Sequence, residues 1–178
     1  MKYKIFTFLL FIFISAQVSA FQLPKRILKK VTKELVKTFD LKELKLEGIA
    51  ISDEINNQLN KRKNLNTLFK VVHNTAIVGY AFVDKAPSKT DQFDYLIILD
   101  KDLIIKKTKV LVYREDYGGE IGSRRWLKQF IGKTSKDQLK YRRDIIAISG
   151  ATISALSMTQ AINLFLSDLA ILQKNNIF

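Results

Sequence analysis

Between Lys25 and Phe39 the apolar residues Ile27, Leu28, Val31, Leu35 and Phe39 recur at spacings of three and four, with Lys and Glu between them. That period belongs to one face of an α-helix, and Pro24 just ahead of it suits a first turn whose N–H would have no partner anyway. The spacing predicts an amphipathic helix over Lys25–Phe39 whose aliphatic stripe packs in a core. Ser52, followed by Asp53 and Glu54, predicts a second, polar and exposed helix running to about Lys61. From residue 67 the period changes to two. Thr67–Val72, Ile77–Val83, Phe93–Leu99 and Ile104–Tyr113 are rich in β-branched and aromatic residues, and Asn74-Thr75, Pro87-Ser88 and Asp100-Lys101-Asp102 separate them. Four successive strands joined by short turns predict an antiparallel meander. The last of them alternates imperfectly, as a strand partly covered on both faces does.

Gly118-Gly119 breaks that strand. Ser123 then caps a short helix carrying Trp126, Leu127 and Phe130, which Gly132 ends. Asp144–Ile148 reads as a last short strand, and Ser154–Gln173 as a closing helix with Leu156, Ile162, Phe165, Leu166, Leu169 and Leu172 on its apolar positions. The fold class expected is α+β: an antiparallel sheet with an N-terminal amphipathic helix, a short helix after a Gly-rich segment, and a C-terminal helix.

At the junction of the last strand and helix stands Ser149-Gly150-Ala151-Thr152. Three small residues ahead of a hydroxyl let a ligand approach the backbone closely, and the helix that follows offers free N–H groups and the positive end of its dipole to a phosphate. The residues alone leave two readings open, a phosphate-anchoring turn and a plain helix cap made by Thr152 or Ser149.

Residues 1–20 have the parts of a secretory signal: Lys2 and Lys4, the apolar stretch Ile5–Ile14, and the small-residue exit Val18-Ser19-Ala20. Cleavage is expected after Ala20, giving an exported, periplasmic protein of 158 residues, enough for one globular unit. The alternative is an uncleaved anchor, for which the stretch is short against the roughly 20 residues of a spanning helix. Residues 21–66 are expected to be a helical N-terminal extension of the domain formed by 67–178. With no cysteine the exit is not that of a lipoprotein. The same lack excludes disulfides, thiolate zinc, iron–sulfur clusters and c-type haem, and a single histidine, His73, argues against a His-based metal site. The formal charge of +13 becomes +11 once Lys2 and Lys4 are removed, because residues 1–20 hold no acid. Blocks at Lys25–Lys37 and Lys61–Lys63, and further Lys and Arg over Lys101–Arg143, favour an anionic partner: a membrane surface, an acidic protein or a phosphate-bearing ligand. Nucleic acid is not expected for an exported protein.

The turn Ser149-Gly150-Ala151-Thr152, with Ile153-Ser154 after it, resembles the flavinylation motif of the FMN-binding domain family. This domain is found in the flavin subunits of sodium-pumping and Rnf-type oxidoreductases and in nitrous-oxide-reductase regulators. Upstream, Tyr113-Arg114-Glu115-Asp116-Tyr117-Gly118-Gly119-Glu120-Ile121 and Trp126-Leu127-Lys128-Gln129-Phe130-Ile131-Gly132-Lys133 are similar to the family's glutamate–glycine and phenylalanine–glycine–lysine segments. The resemblance spans 71–172. It implies FMN joined through its phosphate to the Thr152 hydroxyl, with Ser149, Gly150 and Ala151 around the phosphate and Glu115, Gly118 and Gly119 under the flavin ring. It also implies an FAD-dependent FMN transferase as modifying partner, and electron carriage to or from a membrane donor or acceptor. Arg114, Arg124 and Arg125 are candidates to neutralise the phosphate or a reduced flavin. The family motif carries an aspartate six residues before its threonine, where this chain has Ile146. Asp144 lies two residues further back, on the same face if the segment is a strand, and displaced by roughly 6–7 Å. The competing class is a non-redox, unflavinylated basic envelope module that binds acidic partners or membrane headgroups.

Overall fold

The computed structural model describes residues 23–59 and 65–178. The leader expected over 1–20 and the basic block Lys61–Lys63 lie outside the described residues. Helix α1 spans Lys25–Phe39, with Ile27, Val31 and Leu35 buried. Strand β1 (Lys45–Gly48) and a single-turn helix α2 (Asp53–Asn56) follow. Then come β2 (Leu68–His73), β3 (Ala76–Pro87), β4 (Gln92–Asp100) and β5 (Ile105–Val112). The sheet is antiparallel throughout, in the order β1-β2-β3-β4-β5. A 3-10 turn at Gly119–Gly122 leads to a short helix α3 (Arg124–Leu127), and the chain closes with α4, Thr152–Lys174.

The elements form three layers with the sheet in the middle. On one face α1 packs Ile27, Val31 and Leu35 against Val71, Ala81, Val83, Leu96, Ile98 and Leu111. On the other, α4, α3 and the 3-10 turn Lys128–Phe130 that follows α3 bury Ile162, Phe165, Leu166, Trp126 and Phe130 against Phe82, Tyr95, Ile97 and Leu99. Phe82 and Phe165 stack with ring centroids 4.4 Å apart and planes 11° apart. β4 is buried from Phe93 to Leu99: its odd residues face α4 and its even ones face α1, which is why its sequence is apolar throughout rather than alternating. Each fully buried Leu, Ile or Phe removes enough apolar surface to be worth about 1.5–3 kcal/mol, so these two interfaces dominate the stability. α4 has the length and hydropathy of a membrane span, but its apolar side is the core face of this sheet.

Three expectations need correction. Strand β1 has no counterpart in the sequence pattern: it is four residues long and mostly exposed, so no alternation announces it. The strand expected over Asp144–Ile148 does not form; only an isolated bridge, Tyr141 to Ile145, is present. The Asp144 carboxylate accepts the Lys140 N–H at 2.7 Å and closes a turn instead, the local competition with secondary structure that short polar side chains offer. The backbone of Ile146 is then used by side chains, its carbonyl accepting Trp126 Nε1 at 2.7 Å and its N–H donating to Gln129 Oε1 at 2.8 Å. α2 is also shorter than expected, ending at Asn56, although Ser52 Oγ caps it by accepting Ile55 N–H as anticipated.

Candidate functional site

The N-terminus of α4 is built without a side-chain cap. Gly150 turns the chain with φ +78°, Ala151 is the flanking residue, and no hydroxyl or carboxylate accepts from the first turn. In an α-helix the first amides lack a partner four residues back, so the N–H groups of Thr152, Ile153 and Ser154 remain open, at the positive end of the helix dipole. All three residues line one cavity of about 410 Å³, together with Gly150, Ala151, Lys89, Tyr113, Glu115 and Tyr117, a size within the usual range for small-molecule sites. Thr152 is exposed, and its hydroxyl has no partner among the described residues.

Two contacts fix this helix end to the sheet. Tyr113 Oη, just past β5, lies 3.0 Å from Ser154 Oγ, and Ser157 Oγ donates to the carbonyl of Pro87 at the end of β3. Gly118 does not line the cavity but packs behind the Gly150 turn. Its φ is +80°, and a Cβ there would stand 2.9 Å from the Gly150 carbonyl oxygen and 3.0 Å from Ala151 Cβ. The two glycine turns that lie 32 residues apart in the sequence are thus in contact.

Glu115 lines the cavity, but its carboxylate is engaged. Oε1 accepts the N–H of Thr90 at 2.7 Å and of Asp91 at 3.2 Å, and Oε2 accepts Thr90 Oγ1 at 2.8 Å. The Ser88 hydroxyl and then Thr90 hold its pKa down to about 2. Ser88 Oγ makes no hydrogen bond of regular geometry, so it acts as a nearby dipole while Thr90 supplies the bonds. Glu115 therefore latches the β3–β4 turn to the segment after β5, and in doing so holds Lys89 at the cavity. Lys89 is the basic side chain of the lining. Tyr117 stands on the rim with 85% of its surface exposed.

Other candidates lie elsewhere. Asp144 is exposed, bound by Lys140 N–H and paired with Arg143 at 3.1 Å; it does not line the cavity. Arg143 and then Lys140 hold its carboxyl below the ordinary range. Arg114 is fixed to β4 by Asp94 and the Gln92 carbonyl. Arg124 and Arg125 line a different cleft. Ser149 is exposed outside the cavity lining, and a Cβ on Gly119 would meet nothing within 4 Å. Trp126 and Phe130 are core residues packed edge to face, 5.2 Å between centroids.

In this small α+β protein a helix start with open amides, a free hydroxyl on its first residue and one lysine share a cavity, a set of groups that could hold a phosphate. Residues 89–167 match the family model of the FMN-binding domain. Every residue of the cavity lining falls within that segment. No curated protein matches the chain.

Proposed function

We propose that the protein is an exported electron carrier whose FMN is esterified through the phosphate to Thr152. The observation that carries this reading is the position of Thr152: a free hydroxyl on the first residue of α4, beside three open amides in a cavity inside the matched domain. The open amides and Lys89 would hold the phosphate, the close contact of Gly118 with Gly150 supports the turn that begins α4, and Tyr117 offers an aromatic face at the rim. The cavity lining contains no histidine or cysteine to act as base for the hydroxyl. Ester formation is therefore assigned to another protein, an FAD-dependent FMN transferase: the Thr152 oxygen bonds to the FMN phosphorus as the link to AMP breaks, and the hydroxyl proton leaves to the transferase. The bound flavin supplies one- or two-electron transfer. The ester removes any dissociation equilibrium, so the cofactor survives export and dilution.

Expression in an exporting host with and without the transferase tests this. The reading expects flavin fluorescence that survives denaturation and a mass gain equal to FMN minus water, both only with the transferase and both lost in Thr152→Ala. A second reading, the unflavinylated module, is favoured by Ile146 in the aspartate position and by the commitment of Asp144 to Lys140 and Arg143. A protein that stays colourless beside an active transferase would select it.

A further inference from the structure

A larger cleft, about 850 Å³, lies away from the FMN cavity and shares none of its lining. Its base is β5, the strand at one end of the sheet. Lys107, Thr108 and Lys109 are consecutive and in regular register with β4, so their side chains alternate between the two faces, yet all three line the cleft. A cavity that touches both faces of one strand opens on that strand's free edge. Among the described residues, backbone hydrogen bonds from the outer edge of β5 occur only at Ile105, with Gly132 and Lys133.

The walls come from both neighbouring layers and are basic. α1 contributes Lys37, and α3 with the residue after it contributes Arg124, Arg125 and Lys128. The one carboxylate, Glu34, is already paired with Lys107 at 2.8 Å. Lysines on an edge strand commonly serve only to discourage pairing with other chains. Here that role does not account for the three basic residues on α3 and its successor, which belong to another layer and converge on the same edge. The opposite edge, β1, is kept unattractive simply by being four residues long.

We propose that this cleft receives an extended, acidic segment of a partner protein, added as a further strand alongside β5 with its carboxylates between the lysines of the strand and the arginines of α3. Main-chain bonds to the edge give the segment its direction, and the charged walls set its sign and speed its capture. A flat anionic membrane meets a concave cleft poorly, and a compact phosphate would not use the length of the edge. The inference does not depend on flavin occupancy.

The test uses the purified protein and a labelled synthetic peptide alternating glutamate with valine, its glutamine counterpart, phosphatidylglycerol vesicles, and inorganic tripolyphosphate as competitor. The proposal expects binding of the glutamate peptide alone, slowed amide exchange within β5 on binding, and an affinity reduced about tenfold or more by Lys109→Glu with Arg124→Glu. Lys45→Glu, on the opposite edge, should leave it unchanged. Three results would each overturn the proposal: no peptide binding, binding with unaltered exchange in β5, or tighter association with vesicles or tripolyphosphate than with the peptide.

Discussion

Gly118 and Gly150 touch: a Cβ added to the first would lie 2.9 Å from the carbonyl oxygen of the second, whereas a Cβ added to Gly150 would meet nothing within 4 Å. Both have positive φ, +80° and +78°, so alanine at either position bears the left-handed penalty of roughly 1–2 kcal/mol. Only Gly118→Ala adds a clash with backbone. Gly118→Ala should therefore lower the thermal midpoint well beyond Gly150→Ala, and should also reduce flavin loading, because relief of the clash displaces the start of α4. Melting curves of the two variants side by side check this; equal shifts would show that the contact is not rigid.

The Glu115 latch predicts a pH dependence. Its carboxyl is held at about 2, against an ordinary value of 4.5, so the folded state favours the ionised form. The stabilisation is fully present above pH 4.5 and is lost as the pH falls from there toward 2. Glu115→Gln removes this component. Over that window the melting temperature of the wild type should fall more steeply than that of the variant, and amide exchange at Thr90 and Asp91 should be faster in the variant at neutral pH.

Ile146→Asp should be tolerated and informative. The side chain is 72% exposed, and the residue is held through its backbone by Trp126 and Gln129, so the change should alter stability by no more than about 0.5 kcal/mol. If the aspartate is part of what the transferase recognises, the variant should be flavinylated to a higher occupancy in the same time. Unchanged occupancy would mean that recognition lies elsewhere.

Lys89→Gln probes the phosphate side of the cavity. The residue sits on the β3–β4 turn that Glu115 secures, and its loss should slow flavin loading several-fold without lowering the melting temperature, since Lys89 is exposed and the latch uses Thr90 and Asp91. A time course of in-gel flavin fluorescence checks the first effect, and a melting curve the second.

Much of the fold was legible because burial imposes period. α1 announced its bounds through Ile27, Val31 and Leu35, which face only the sheet, and β4 through an unbroken apolar run that both layers cover. The apolar run Ile145–Ile148 misled for the same reason: it resembles a strand, but its backbone partners are the side chains of Trp126 and Gln129, which no local pattern reveals. In the site, Thr152 and the small residues before it were visible as a local motif. Lys89 was not, because it reaches the cavity from a hairpin more than sixty residues upstream and only the Glu115 latch places it there. The assignment of Asp144 to the motif face rested on a strand that does not exist.

The central claim concerns one oxygen atom, Thr152 Oγ1. Peptide mapping by tandem mass spectrometry of the protein, co-expressed with the transferase and exported, tests it most directly. The account predicts that the peptide containing 149–154 carries the mass of FMN less water, localised on Thr152, and that no other peptide does. An unmodified peptide of full abundance beside a control substrate that the same transferase has labelled, or flavin mapped to a different residue, would contradict it.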